Sequence, residues 1–154
     1  MRPSDGGRAL RLRPSDRHHL FWGRNSQSPG PKRLTTLLKT VSKRYHVAKD
    51  AEITLEANPE SAGDWKALKT LRKAGFNRLS LGMQSASDAE LQHIGRVHTM
   101  EQVTAAVEAA RKARFENLSL DLIYGLPGQS SEQWQEILPL PYPCAGTSEI
   151  TRLY

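Results

Sequence analysis

Glu56, Gln84 and Asp121 are polar residues set at or near the ends of three apolar runs. The runs are Glu52-Ile-Thr-Leu-Glu-Ala-Asn-Pro59, Arg78-Leu-Ser-Leu-Gly-Met-Gln84 and Asn117-Leu-Ser-Leu-Asp-Leu-Ile-Tyr-Gly-Leu-Pro-Gly-Gln129. Two carboxylates and an amide offer many hydrogen-bond acceptors, and the amide also donates. Such a set suits a ligand that carries hydroxyl or ammonium groups. Glu56 and Asp121 could also serve as acid and base in a metal-free lyase or isomerase. No lysine or histidine stands at a strand end to join them, which weighs against that use. The plainest alternative is that each carboxylate caps a neighbouring helix.

For these groups to act together, the chain must bring the run ends to one place. A repeated strand–helix unit does this, because the carboxyl ends of parallel strands open onto one ligand-binding face. The pattern predicts strands over 52–57, 78–84 and 117–123. Between the first two, a helix fits 63–74, with Trp65, Leu68, Leu71 and Arg72 spaced to pack on a sheet. Gly75 follows where a left-handed cap is expected. Ser87 predicts a short helix to Ile94, with Glu90 completing a capping box. Gly95-Arg-Val-His98 is a loop, and Thr99 caps a helix over 100–113 with Gln102 in the box position. After the third strand, Gly125-Leu-Pro-Gly128 is a turn, and Ser130 or Ser131 opens a helix to about Leu138. His46, His93 and His98 read as ordinary helix-end and loop residues.

The unit repeats visibly. Arg72-Lys-Ala-Gly-Phe-Asn-Arg-Leu-Ser-Leu-Gly82 echoes Arg111-Lys-Ala-Arg-Phe-Glu-Asn-Leu-Ser-Leu-Asp121. Each copy is a helix end, a turn and a strand, which argues for a parallel sheet with right-handed crossovers. Arg114 takes the place of Gly75. If that position needs a positive φ, Arg costs about 1 kcal/mol relative to Gly.

Ahead of the repeats, Leu34, Leu37, Leu38, Val41 and Tyr45 give one face of a helix over Lys32–Tyr45. Its cationic outer face reads as a solvated surface. The expected organisation is a basic arm over 1–30, an α/β core over 31–138 and a divergent Pro-rich tail over 139–154. The arm holds Arg2, Arg8, Arg11, Arg13 and Arg17 and no apolar signal core. It resembles a mitochondrial transit segment, against which Asp5 and Asp16 count; the alternative is a disordered arm on a cytoplasmic protein. In the tail, Pro139, Pro141 and Pro143 cannot continue a helix.

The net charge of +6 is uneven. Residues 1–50 hold twelve Lys and Arg against three acids, and residues 51–154 hold ten against thirteen. The part that folds is therefore slightly acidic, and no nucleic-acid partner is expected for it. No apolar run approaches the roughly 20 residues of a membrane span. One cysteine, Cys144, excludes an intramolecular disulfide and a multi-thiolate metal site within these residues.

Taken together, Leu55-Glu-Ala-Asn-Pro59, Arg78-Leu-Ser-Leu-Gly-Met-Gln-Ser85, Ile94-Gly-Arg-Val-His98 and Ser119-Leu-Asp-Leu-Ile-Tyr-Gly-Leu-Pro-Gly-Gln129 resemble a known family. It is the radical S-adenosylmethionine (SAM) family related to oxygen-independent coproporphyrinogen III oxidase, with its haem-chaperone branch nearest. The resemblance covers about residues 31–138. It implies an α/β fold, a fragment of a partial (β/α)₆ barrel with parallel strands. It also implies a [4Fe–4S] cluster and SAM as cofactors, and haem or a porphyrin as partner. By motif, the implied SAM contacts are Glu56, Gln84, Arg96 and Asp121. SAM carries a carboxylate, an ammonium and a ribose diol. The Arg96 guanidinium suits the carboxylate, and Glu56 and Asp121 suit the ammonium or the hydroxyls.

The chain also departs from that pattern. The family holds its cluster with a C-x₃-C-x₂-C run, and no cysteine precedes Cys144 here. A cluster is not expected to assemble on this chain. The family's Gly-Gly-Gly-Thr-Pro-Ser type turn corresponds to Leu20-Phe-Trp-Gly-Arg-Asn-Ser-Gln-Ser28, where only Gly23 remains. The His-Asn-x-x-Tyr-Trp motif of the chaperone branch is absent, and His18-His19 does not replace it. The expectation is a truncated, inactive member with foreign ends, such as alternative splicing produces. The alternative is a non-enzymatic fragment with at most a partner-binding role. Open sheet edges predict marginal stability for such a piece.

Overall fold

The computed structural model describes residues 30–45, 47–137 and 149–153. Helix α1 (Pro31–Arg44) starts with Pro at its first position and buries Leu34 and Leu38. Strand β1 (Thr54–Ala57) runs into a 3-10 turn at Pro59–Ser61. Then come α2 (Trp65–Ala74), β2 (Arg78–Gln84), α3 (Asp88–His93), α4 (Met100–Lys112), β3 (Asn117–Leu122), α5 (Ser131–Ile137) and β4 (Glu149–Leu153).

All neighbouring strands pair parallel, in the order β1-β2-β3-β4. The three expected strands are present, the first beginning two residues later than expected. Beyond Pro139 the sequence predicts no strand, yet the backbone of Glu149–Leu153 adds a fourth, next to β3. The expected arm, apart from Gly30, and the Pro-rich stretch 139–148 lie outside the described residues.

The sheet has one apolar and one polar face. Leu55, Leu79, Leu81, Met83, Leu118, Leu120 and Leu122 are buried in one core with α2 and α4 residues such as Leu68, Leu71, Val103 and Val107. Residues of the opposite parity are Glu56, Ser80, Ser119 and Asp121. Side chains alternate along a strand, so one residue type per parity sorts the two faces. The helix layer is tied together at Trp65, whose ring lies under the ammonium groups of Lys69 (5.3 Å) and Lys112 (4.6 Å).

The helix ends follow local rules. Asp64, not singled out in the sequence, caps α2 by accepting from the amides of Lys66 and Ala67. The Thr99–Gln102 capping box forms in full at α4. Ser130 and Gln133 form the matching pair at α5, where the Glu132 carboxyl is held below its ordinary 4.5 by its own backbone N–H and by Ser130. Helix α3 differs from expectation. Ser87 does cap it, but the Glu90 side chain does not turn back to complete the box. Glu90 accepts instead from the Ser85 hydroxyl and from Gln129 Nε2 at 3.0 Å. A long-range donor on the turn after β3 outcompetes the local amide, which itself bonds Ser85 Oγ at 3.0 Å.

The internal echo is a pair of helix closures with the same hydrogen-bond pattern. Gly75 (φ 122) and Arg114 (φ 68) both take positive φ. In each, the residue itself and the Phe after it donate back into the last helical turn: Gly75 to Arg72 and Phe76 to Leu71, Arg114 to Arg111 and Phe115 to Ala110. Gly95 (φ 71) closes α3 in the same way, with Arg96 N–H donating to Leu91 O at 2.8 Å.

Candidate functional site

The polar face is organised around the carboxyl ends of β1, β2 and β3. Glu56 pairs in register with Ser80, and Ser80 with Ser119. The Ser80 hydroxyl donates across to both oxygens of Asp121, at 3.1 and 2.9 Å. Ser80 thereby fixes the Asp121 carboxylate on the side of the sheet that Glu56 occupies. Ser119 Oγ, buried on this face, has no hydrogen-bond partner among the described residues.

Gln84 reaches the same face by an irregular route. The β2–β3 register breaks between Leu81 and Gln84, and Gln84 has φ 68. Ser85 N–H donates to Met83 O at 2.9 Å, closing a γ-turn around Gln84. The turn folds the Gln84 side chain back over Gly82. A Cβ placed on Gly82 would lie 2.7 Å from Gln84 Nε2 and 3.6 Å from Asn58 Oδ1. Gly82 therefore leaves the space in which the Gln84 amide and the Asn58 side chain approach.

Arg96 sits in the loop between α3 and α4. It is half-buried, Val97 is 80% exposed, and His98 is 3% exposed. His98 corrects the reading of it as an ordinary loop residue. Its Nε2 is 3.0 Å from the Met83 carbonyl, and its Nδ1 faces the Glu60 carboxylate at 3.6 Å. A carbonyl only accepts, so Nε2 carries the proton. Among the described residues, no partner holds the Arg96 guanidinium or the Gln84 amide.

The structure thus places Glu56, Gln84 and Asp121 on one face, and pins the Arg96 loop to the end of β2. Asn58, Ser80, Gly82 and His98 also build this region. A glycine inside a strand was the readable signal for Gly82. Ser80 shares the parity of the acid positions, and Asn58 lies two residues past Glu56. A separate cavity of about 220 Å³ lies between α3 and the turn after β3, lined by Ser87, Glu90, Ile94, Leu126 and Pro127. It contains none of the four candidate residues.

A parallel βα sheet with a polar cluster at its strand carboxyl ends defines a class of ligand-binding half-barrel. Residues 8–140 match the model of the radical SAM superfamily, and the chain belongs to that family. It is 38% identical over 126 residues to the mouse protein named radical S-adenosyl methionine domain-containing protein 1, mitochondrial. It is 42% identical over 117 residues to heme chaperone HemW of Mycobacterium tuberculosis. The alignments cover 81% and 75% of this chain but only 28% and 30% of those relatives. Coproporphyrinogen III oxidase (HemN) from Escherichia coli, described as a radical SAM enzyme, superposes with TM-score 0.67 at 31% identity, over 78% of this chain and 28% of that one. An archaeal Elp3 from Methanocaldococcus infernus shares the fold, with TM-score 0.62 at 20% identity. The expected α/β radical SAM barrel fragment with parallel strands is therefore the fold of this chain.

The residues present can be weighed against the two groups the family uses. SAM fits the donor chemistry: the Glu56 and Asp121 carboxylates and the Gln84 amide share one face, and the loop that carries Arg96 is tied to the end of β2 through His98. The cluster does not fit. Iron–sulfur ligation needs several thiolates, and the sequence has one cysteine. Among the described residues no group of His, Cys, Asp and Glu could hold a metal ion. No helix among them is long and apolar enough to cross a membrane.

Proposed function

We propose that this chain is the SAM-binding part of a haem-chaperone or coproporphyrinogen-oxidase-like radical SAM protein. Glu56, Gln84, Arg96 and Asp121 contact SAM. The observation that carries the reading is the shared face, where Ser80 locks Asp121 beside Glu56 and Gln84 folds back over Gly82. SAM, given an electron from a cluster, is the source of the family's radical chemistry. The chain's own residues bind and orient. Arg96 takes the carboxylate of the methionyl end in a forked ion pair. Glu56 and Asp121 accept from the ammonium and the ribose hydroxyls, and the Gln84 amide donates and accepts beside them.

On this reading the 154 residues bind SAM without cleaving it, because a single cysteine cannot ligate the iron–sulfur cluster. Haem or a porphyrin is the partner of the whole lineage. Support for this comes from the names of the bacterial chaperone relatives and the oxidase. A mitochondrial location, with an Arg-rich arm over 1–30 and a divergent tail over 139–154, agrees with the names of the animal relatives; the cytoplasm is the alternative.

Titrating the chain with SAM tests the reading. Expected is binding no tighter than about millimolar, roughly −4 kcal/mol, and lost in Asp121→Ala and Glu56→Ala. Wild-type affinity in both variants would remove the polar face as the SAM site. Anaerobic iron and sulfide reconstitution is expected to give no visible iron–sulfur absorption, and a clear signal would overturn the non-cleaving assignment.

A further inference from the structure

We infer that His98 is a positioning residue that holds Arg96 at the ligand. The inference rests on the SAM reading above, which gives the Arg96 guanidinium a carboxylate to meet. A single residue, Val97, separates the two. Val97 points to solvent while His98 is buried, so the loop is anchored through the imidazole and not through an apolar plug.

The anchor point is informative. His98 donates to the carbonyl of Met83, the same carbonyl that closes the γ-turn around Gln84. A γ-turn with positive φ at a non-glycine residue is strained, and strain of this kind persists where surrounding contacts hold it. The second nitrogen faces Glu60, in the turn that follows Glu56 and Asn58. One imidazole therefore touches the chain just past β1 and the end of β2, and fixes the loop that carries Arg96. The loop is also closed at both ends. Gly95 ends α3 with Arg96 N–H bonded to Leu91 O. Met100 N–H bonds Asp88 Oδ1 at 2.8 Å, joining the start of α4 to the start of α3. With both ends held, His98 sets the depth of the middle.

A core histidine that only filled space would be replaceable by an apolar residue at no cost to ligand selectivity. A positioning histidine would not. The test uses the full chain, with SAM and with 5′-methylthioadenosine, which keeps the adenosyl part and lacks the amino-acid end. His98→Ala is expected to weaken SAM binding at least fivefold and methylthioadenosine less than twofold. His98→Gln, whose amide N–H can reach the Met83 carbonyl, is expected to restore most of the SAM affinity. Equal weakening of both ligands, or no weakening of either, overturns the inference. Amide hydrogen exchange of residues 95–97 decides the matter without a ligand. Faster exchange in His98→Ala than in wild type and His98→Gln supports the anchor, and unchanged exchange overturns it. If the wild type binds neither ligand, the SAM reading fails, while the exchange arm still judges the anchor.

Discussion

Gly82 has a hydrogen where any other residue would place a carbon 2.7 Å from the Gln84 amide. That amide is the far end of a flexible side chain, so a methyl group there displaces the amide and leaves the backbone in place. Gly82→Ala is therefore expected to keep urea stability within about 1 kcal/mol of wild type. The same change should weaken SAM about fivefold, the value of roughly one hydrogen bond. Unchanged SAM affinity would take Gln84 out of the site. At this scale the sequence marks Glu56, Gln84 and Asp121 because each breaks an apolar run. It does not mark Ser80, since a serine inside a strand looks like filler until its hydroxyl is seen on Asp121. Nor does it mark His98, because burial and the Met83 carbonyl are properties of the folded chain.

Helices and turns obey shorter-range rules, and more of them are visible in advance. Thr99 with Gln102, Gly75 after α2 and the echoed Arg72 and Arg111 segments all fold as their local chemistry dictates. Arg114 is the exception to residue choice within a conserved geometry. It adopts φ 68 where its counterpart is glycine, while its carbonyl accepts from Arg72 Nε at 3.1 Å. The carbonyl bond survives substitution and the backbone strain does not. Arg114→Gly is expected to stabilise the chain by about 1 kcal/mol in urea unfolding. A loss of stability would show that the arginine side chain matters more than its backbone. The Ser87–Glu90 pair shows the limit of local rules: a donor 39 residues away takes the carboxylate, and no window of sequence contains that competitor.

Across the sheet, β1 and β4 are the two end strands among the described residues. Parallel sheets are stable when both faces and edges are covered. The polar face here carries the proposed SAM contacts, and an unpaired strand edge is a template for another chain. The chain is expected to unfold at a temperature that falls as protein concentration rises, with aggregation accompanying the transition. Light scattering during a thermal scan at several concentrations reads this. A sharp, reversible, concentration-independent transition would contradict it.

The order of apolar and polar residues determined the first three strands, the helices between them and their parallel arrangement, because periodicity and caps act over a few residues; the fourth strand, Glu149–Leu153, was not legible in it. Cysteine count likewise settled that thiolate ligation of a cluster is beyond these 154 residues. Only the folded chain decided that Ser80 would hold Asp121, that Gln84 would turn back over Gly82 and that His98 would tie its loop to Met83. Those contacts join residues between 15 and 41 positions apart, apart from the Gln84 turn. The Gln84 turn arises where β2 and β3 slip out of register. Strand pairing and burial create such contacts, and neither exists until the sheet has formed.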